Sequence, residues 1–311
     1  MAGLAVSVLL WGSHEDSVVA AVASALARMG TAVAVVDGSN IESVDVDGDL
    51  TTATGERLRL SDISGVLVRP SDTTEPCSYA ALAAWTELTS AVVLNRLSAG
   101  ASNRSKPYQL RLLREAGFKT PDTLVTTDPD DVRAFRAEHG QLIYKSTSGV
   151  RSIVTLLKAS DEKRIEDVRT CPTQFQQFVA GIDHRVHVVG REVFATHIET
   201  GAVDYRYATP ADRPTRMHSV TLPEDVGRKC IAVAKALGLG LAGIDLRVDA
   251  EGHWWCFEVN TSPGFIWFEQ QTAQPIAAAV ARMLTRREAC AYSGCGCPRS
   301  FGQLHWNRDW C

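Results

Sequence analysis

The most informative feature of this sequence is a predicted β-hairpin near its C-terminal end. Two apolar stretches flank the tight turn Asp249-Ala-Glu-Gly252 and have the composition of strands. Side chains alternate between the two faces of a strand, so Glu258 and Asn260 share a face, and an antiparallel neighbour brings Asp245 opposite them. The sequence therefore predicts three oxygen-bearing side chains in one place, on strands over residues 242–248 and 254–259.

These three side chains have the chemistry of a metal site. Two carboxylates and an amide are hard oxygen ligands of the kind that Mg²⁺ takes, and Mg²⁺ is usually shared with nucleotide phosphates. Their neighbours along both strands are apolar, and carboxylates are costly to bury there without a cation. A single acid on a hairpin is more often solvated surface. The set as a whole favours a site that holds Mg²⁺, or Mn²⁺ as the alternative ion, together with nucleotide phosphates.

Length and charge limit the classes of function. A chain of 311 residues can form two or three compact units, and 45% hydrophobic with 22% charged residues is ordinary for a globular protein. A net charge of -4 and a pI near 6.1 argue against nucleic acid as the main partner. The apolar run at residues 4–10 is too short to cross a bilayer and has no basic leader, so we expect no membrane partner and a cytoplasmic location.

The first hundred residues have the pattern of a small α/β domain. A strand at 4–11, a helix at 15–29 and a strand at 31–36 form a β-α-β unit of parallel type. No glycine fingerprint follows the first strand, which disfavours a dinucleotide site. The small polar segment 98–103 predicts a linker. We therefore divide the chain into a domain at 1–100, a second at 101–285 and a cysteine-rich tail at 286–311.

A predicted flap lies in the second domain. Strand 141–146 carries Lys145 among apolar residues into a loop containing Ser148 and Gly149, and a further strand follows. This order differs from a P-loop, which leads into a helix. Backbone donors and hydroxyls around a glycine suit a γ-phosphate; an ordinary hairpin loop is the alternative. Lys106 at the start of a helix, taken alone, is typical of a solvated lysine.

The order of the polar residues resembles the ATP-grasp superfamily from about residue 95 to 285. The series runs from Lys106 and the flap through Gln176-Gln177-Phe178-Val179, Asp183-x-Arg185 and Arg206 to the hairpin. That superfamily also places a small α/β domain first. The resemblance implies an α/β plus α+β protein, with a pre-ATP-grasp domain followed by an ATP-grasp fold.

Within the superfamily the chain is most similar to the RimK-like peptide ligases, particularly the maturases of graspetides. The local similarity is carried by Thr123-Leu-Val-Thr-Thr-Asp128-Pro and by Trp267-Phe-Glu269-Gln-Gln-Thr-Ala-Gln-Pro275-Ile. It implies an enzyme that uses ATP to activate a peptide side-chain carboxylate as an acyl phosphate. A hydroxyl or amine then attacks, which closes an ester or amide ring in a ribosomal precursor peptide.

The resemblance also implies a role for each candidate residue. The nucleotide would contact the side chains or backbone of Lys106, Lys145, Ser148, Gly149, Gln176, Gln177, Phe178, Val179 and Asp183. Gln177 and Phe178 would line the adenine, and Asp183 would approach the ribose. Lys145, Arg185 and Arg206 are the predicted catalytic residues, the arginines binding the substrate carboxylate or its acyl phosphate through a bidentate fork. Surface ion pairs with Asp204 or Glu199 are the alternative for both arginines.

Partners and competing functions remain open at this level. An acidic precursor peptide is the expected substrate, with positive charge supplied by Arg213, Arg216 and Arg228, and a homodimer is expected. A ligase that adds a free amino acid to a peptide or small acid is one alternative. A nucleotide-binding protein without ligase activity is another.

Other reactive side chains receive no function from the sequence. Cys256 is expected to be a core residue, and His184, His187 and His197 are expected to be cross-strand surface residues. The tail has donors enough for zinc, but its C-x4-C-x-C spacing departs from paired C-x2-C knuckles.

Overall fold

The computed structural model describes residues 6–38, 40–45, 48–70, 76–146, 154–201 and 214–286. Within these ranges the chain forms four sheets with helices packed between and around them. None of the helices in the described ranges combines the length and hydropathy that a bilayer crossing requires.

The N-terminal unit is built on a four-stranded parallel sheet with the order β2-β1-β6-β7. Helix α1 begins where the Asp16 carboxylate accepts the backbone N–H of Val18 and Val19, and its apolar face packs on the sheet. A separate three-stranded antiparallel sheet, β3-β4-β5, is inserted between β2 and β6. The elements are β1 (Val8–Gly12), α1 (Ser17–Arg28), β2 (Val33–Val36), β3 (Ile41–Val44), β4 (Asp49–Thr52), β5 (Arg57–Arg59), β6 (Gly65–Arg69), α2 (Pro76–Leu88) and β7 (Val92–Leu94).

The next part of the chain forms a four-stranded antiparallel sheet with the order β10-β9-β11-β8. One face packs on α4 through a core that includes Val132, Leu142 and Phe175. The predicted linker at 98–103 lies within a 3₁₀ helix, Leu97–Arg104. The elements are α3 (Lys106–Glu115), β8 (Thr123–Thr126), α4 (Pro129–His139), β9 (Leu142–Ser146), β10 (Thr155–Leu156), a 3₁₀ helix (Ala159–Thr170) and β11 (Thr173–Gln177).

The third part is a five-stranded antiparallel sheet with the order β14-β13-β12-β15-β16. Helix α5 buries Val226, Cys230 and Val233 against this sheet, and α3 joins the same core through Leu110 and Leu113. The elements are β12 (Ile182–Val189), β13 (Glu192–Glu199), β14 (Arg216–Val220), α5 (Glu224–Ala236), β15 (Leu241–Val248), β16 (Trp254–Asn260), α6 (Ile266–Thr272) and α7 (Ile276–Leu284).

The last helix of the described chain, α7 (Ile276–Leu284), follows a separate short helix, α6 (Ile266–Thr272). Ala273 adopts a left-handed conformation with φ 54°, which ends α6, and Pro275 precedes α7 as its N-cap residue.

Helix α7 completes the core of the N-terminal unit although it lies at the other end of the described chain. Val280 and Leu284 are fully buried in one cluster with Val8, Leu10 and Leu26. A Cβ on Gly65 would lie 2.1 Å from the Leu284 carbonyl oxygen, so glycine is required where β6 meets α7. The tail beyond 286 lies outside the described residues.

Candidate active site

The three predicted ligand side chains meet on one face of the β15–β16 hairpin. Asp245 lies directly opposite Glu258, and Gly243 lies opposite Asn260. The register shifts after Asp245, so that Leu246 pairs with Cys256 and β16 carries one extra residue at this point. Asn260 Nδ2 is 3.1 Å from Asp245 Oδ2. The hairpin predicted from the sequence thus forms, with a bulge that the sequence pattern did not reveal.

Arg185 extends this cluster from the neighbouring strand. It lies opposite Asp245 on β12, and its Nη1 donates to Asp245 Oδ1 at 2.7 Å. The side chain is only 9% exposed, so the alternative of a surface ion pair is wrong. Its guanidinium lies 5.7 Å from the centre of the Phe268 ring, and a Cβ on Gly243 would come within 2.3 Å of Nη2. A glycine on β15 therefore makes room for this arginine.

A buried histidine lies behind Arg185. The Nε2 of His187 is 3.4 Å from Arg185 Nε and 3.3 Å from the Gly264 carbonyl oxygen. Complete burial, and then the charge of Arg185, hold the pKa of His187 well below its usual value, so the ring is neutral. The prediction that this residue and His184 lie on the surface is wrong, because both are buried in the sheet.

Lys106 supplies a second cation from the first residue of α3. Its Nζ is 3.0 Å from Glu258 Oε2 and 2.7 Å from Asn103 Oδ1. The lysine and glutamate side chains are each 15% exposed, so Lys106 is not a solvated surface lysine. Asp245 and Glu258 are therefore each compensated by a cationic side chain, Arg185 and Lys106 respectively, as partly buried charges require.

The donor set fits a divalent cation with oxygen preference. Asp245 and Glu258 give two carboxylates, Asn260 gives an amide, and all three lie on one rigid hairpin. Three protein ligands leave positions for water and phosphate oxygens, which is the usual arrangement for Mg²⁺. The residues present therefore fit Mg²⁺.

Beside this cluster a groove opens between the four-stranded and the five-stranded antiparallel sheets. Ile143 on β9 pairs with Gln176 on β11, and Lys145 pairs with Gln174, so these side chains share the face toward the groove. The groove brings together most of the predicted nucleotide residues and two of the predicted metal ligands. Its lining includes Ile143, Lys145, Gln176, Gln177, Phe178, Val179, Asp183, Asp245, Arg247, Phe257 and Glu258.

Arg247 also lines the groove, although the sequence did not identify it as a site residue. It pairs with Asp183 across β12 and β15, and the two side chains form a fork with N–O distances of 2.7 and 2.9 Å. An arginine in a strand is by itself an ordinary surface residue. Its position two residues after Asp245, on the same face, is the signal that points to the groove.

Two sets of side chains remain, the buried cysteines and the predicted residues that lie outside the described ranges. Burial raises the pKa of the Cys230 thiol to about 12 and that of Cys256 well above its usual value, so neither is a ready nucleophile, as expected for Cys256. Ser148, Gly149, Arg206 and Arg213, with the flap from 147 to 153 and the cysteines of the tail, lie outside the described residues.

Comparison of the sequence with known families and proteins gives consistent matches. The RimK-like ATP-grasp domain matches residues 101–284, which is more than half of the chain. A probable alpha-L-glutamate ligase of Sodalis glossinidius is 30% identical over 213 residues, covering 65% of this chain and 71% of the relative. Another, of Photobacterium profundum, is 28% identical over 206 residues, covering 63% and 68%.

Comparison of the structures points to ligases that act with peptides. The ATP-grasp ligase PsnB, complexed with a phosphomimetic variant of its minimal precursor, Mg and ADP, superposes with a TM-score of 0.77 and 27% identity, over 90% of this chain and 98% of that one. PsnB with the minimal precursor gives 0.76 and 29% over the same shares. The macrocyclase MdnC of Microcystis aeruginosa MRC, bound with precursor peptide MdnA, gives 0.75 at 20% identity over 90% and 99%, a likeness of fold.

Proposed function

This chain belongs to the RimK-like ATP-grasp family, and we propose that it is an ATP-dependent ligase that closes ester or amide bonds within a ribosomal precursor peptide. One observation carries the proposal. The hairpin that bears Asp245, Glu258 and Asn260 borders the groove with the predicted nucleotide residues, and it holds Arg185 at the same point. The PsnB structures, which contain a precursor peptide with Mg and ADP, support the same pairing of nucleotide and peptide.

The metal and nucleotide are assigned to residues of this chain. Asp245, Glu258 and Asn260 would hold Mg²⁺, or Mn²⁺ in its place, and the ion would neutralise phosphate charge during phosphoryl transfer. Lys106 and Lys145 would bind the phosphates as point charges, and Ser148 and Gly149 would cover them. The adenine and ribose would lie along the groove against Gln176, Gln177, Phe178, Val179 and Asp183.

The chemistry assigned to the site has two steps. A carboxylate oxygen of the peptide attacks the γ-phosphorus, the bond from that phosphorus to the β–γ bridging oxygen breaks, and an acyl phosphate and ADP form. A hydroxyl or amine then attacks the acyl carbon. The bond between that carbon and the phosphate oxygen breaks, and the nucleophile loses its proton as phosphate leaves. Arg185, with Arg206, orients the carboxylate, and the flap keeps water from the mixed anhydride.

The substrate and setting are proposed from charge, from thiol chemistry and from the structural relatives. PsnB and MdnC are solved with precursor peptides, and this chain carries exposed Arg216 and Arg228 near the five-stranded sheet, which suits a peptide with acidic residues. We further propose a homodimer and a cytoplasmic location. Free thiols at Cys230 and Cys256 support the location, because reducing compartments keep cysteines in this form.

A second candidate is addition of a free amino acid to a peptide or small acid. Both of the sequence relatives named above are called probable alpha-L-glutamate ligases, which favours this candidate. The same groove and hairpin would serve both reactions, since only the acceptor differs. A non-catalytic ATP-binding role is disfavoured, because such a role requires neither the complete donor set nor the buried Arg185.

The experiment is incubation of the full chain with ATP, Mg²⁺ and a short acidic peptide encoded beside its gene, with and without free glutamate, followed by mass spectrometry and an ADP assay. We expect one water lost from the peptide for each ADP formed. A gain in mass equal to an added glutamate residue would favour the second candidate, and no ADP in the presence of peptide would contradict both.

Asp245→Asn is the variant that tests the metal hairpin. It keeps the shape of the side chain but removes one negative charge, so peptide-dependent ADP formation should fall at least about 100-fold, as expected when a major electrostatic contribution is lost. Glu251→Gln removes an exposed charge from the turn of the same hairpin and should leave the rate unchanged. Equal rates in Asp245→Asn and wild type would refute the assignment.

A further inference from the structure

Arg247 is nearly buried at the bottom of the groove although nothing in the reaction described above uses it. Its side chain is 14% exposed, and its guanidinium carbon lies 5.3 Å from the centre of the Phe257 ring and 6.0 Å from that of Phe178. Two aromatic rings from different parts of the chain therefore lie within cation–π distance of this guanidinium.

The hydrogen bonds of Arg247 join two functional parts of the groove. Nε and Nη2 bind the two carboxylate oxygens of Asp183 at 2.7 and 2.9 Å, and Nη1 donates to the Val179 carbonyl oxygen at 2.7 Å. Val179 lies in the segment that links β11 to β12, which is the connection between the two sheets that form the groove. One guanidinium thus binds both the linker and the second residue of the next strand.

The linker is built to lie against this arginine. Gly181 has φ +153°, and a Cβ there would lie 2.2 Å from the Val248 carbonyl oxygen and 3.0 Å from Arg247 Cγ. A side chain at this position would push the linker away from β15 and lengthen the bond to the Val179 carbonyl. The close approach is independent of the ion pair, and both place the linker on Arg247.

We propose that Arg247 is a positioning residue that presents the Asp183 carboxylate to the ribose hydroxyl groups of the nucleotide and so makes binding selective for ribose. The inference rests on the proposed function, because it takes the groove as the nucleotide site. The fork holds both oxygens of Asp183 in one plane, and each oxygen keeps a second lone pair for a hydroxyl donor. Without the fork, the carboxylate rotates and the hydroxyls lose an oriented acceptor.

Charge alone does not explain this arrangement. Lysine would also neutralise Asp183, but its single ammonium group cannot bind two carboxylate oxygens and a carbonyl in fixed directions. If orientation is the function of Arg247, both Arg247→Lys and Arg247→Met lose selectivity. If only neutralisation matters, Arg247→Lys keeps it.

The test measures binding of ADP and of 2′,3′-dideoxy-ADP to the full chain by calorimetry in the presence of Mg²⁺. Wild type should prefer ADP by at least about tenfold, which corresponds to roughly 1.4 kcal/mol. In Arg247→Lys and Arg247→Met the ratio of the two dissociation constants should approach one, chiefly through weaker ADP binding. Arg111→Met, at an exposed arginine on α3 that pairs with Glu115, is the matched control and should keep the wild-type ratio.

Asp183→Asn tests whether Arg247 acts through the Asp183 carboxylate or only supports the fold of the groove. It keeps the size of the side chain and should remove the preference, and Arg247→Met added to it should change the ratio no further. This variant also tests the proposal if Arg247→Met fails to fold. The role of Arg247 would be overturned if its variants weakened binding of both ligands equally. It would also be overturned if Arg247→Lys kept the wild-type ratio of the two dissociation constants, or if wild type showed no preference for ADP over the dideoxy analogue. Failure of wild type to bind ADP at all would contradict the proposed function itself.

Discussion

At the scale of single residues, the site depends on side chains that fit around Arg185. Asp245 binds its guanidinium, Phe268 lies beneath it and His187 lies behind it. The sequence identified Asp245 and Arg185 through their order along the chain. It did not identify Gly243 or His187. A glycine that leaves space for another side chain, or a histidine packed in a core, produces no recognisable pattern in the sequence.

Gly243→Ala tests whether the position of Arg185 matters for the transfer step. The new Cβ would lie 2.3 Å from Arg185 Nη2 and 2.6 Å from Pro263 Cβ, so the guanidinium must move. We expect peptide-dependent turnover to fall at least about tenfold, in line with the sensitivity of positioned groups to small displacements. Affinity for ADP, measured by calorimetry, should change little.

Gly227→Ala on α5 is the control for this substitution. Nothing lies within 4 Å of its added Cβ, so the variant should keep full activity and gain about 0.5–1 kcal/mol in free energy of unfolding. Full turnover in Gly243→Ala would show that Arg185 does not contact the reacting groups.

The buried His187 predicts how stability depends on pH. Its native pKa is lowered, so the unfolded chain binds a proton that the native chain does not once the pH falls below about 6.5. The stabilisation is present above that pH and is lost as the pH falls. Urea unfolding at pH 7.5 and 5.0 should therefore give a smaller loss of stability in His187→Gln than in wild type. An equal loss in both chains would mean that His187 is protonated in the native state.

At the scale of elements, the sequence predicted the strands and helices whose periodicity is strong. The hairpin strands predicted over 242–248 and 254–259 formed within one residue of those bounds, since alternation is a local signal. The 3₁₀ helix at 97–104 and the short helix α6 did not follow from composition. Just before the 3₁₀ helix, Asn95 Nδ2 donates to the backbone carbonyl oxygens of Leu241 and Thr261, so a contact with a distant part of the chain holds this segment.

Ala273 provides a test of the break between α6 and α7. A non-glycine residue in the left-handed region is disfavoured, and Ala273→Gly removes that cost while adding backbone freedom to the unfolded chain. We expect the free energy of unfolding to rise by up to about 1 kcal/mol in urea titrations. A loss of stability would indicate that the Ala273 methyl contributes more by packing than its conformation costs.

At the scale of the whole molecule, the N-terminal sheet and the C-terminal helix share one core. A division at residue 100, drawn from the polar segment that follows the last strand of the parallel sheet, remains a prediction. The contact of α7 with α1 and β6 joins residues more than 200 positions apart, which no local pattern reveals.

Gly65→Ala tests this long-range contact. Its Cβ would lie 2.1 Å from the Leu284 carbonyl oxygen, a backbone atom that cannot move aside as a side chain can. We expect a loss of about 1–3 kcal/mol in free energy of unfolding, as for other overpacked positions. Gly100→Ala, whose nearest neighbour is 3.8 Å away, is the control and should be close to neutral. No loss in Gly65→Ala would show that α7 is not held against β6.

The most direct test of the account is a crystal structure of the chain grown with Mn²⁺ and a non-hydrolysable ATP analogue, with the ion located by anomalous scattering. We expect an anomalous peak within about 2.0–2.3 Å of oxygens from Asp245, Glu258 and Asn260, with the analogue in the groove between the four-stranded and five-stranded antiparallel sheets. An ion elsewhere, or an analogue bound outside this groove, would contradict it.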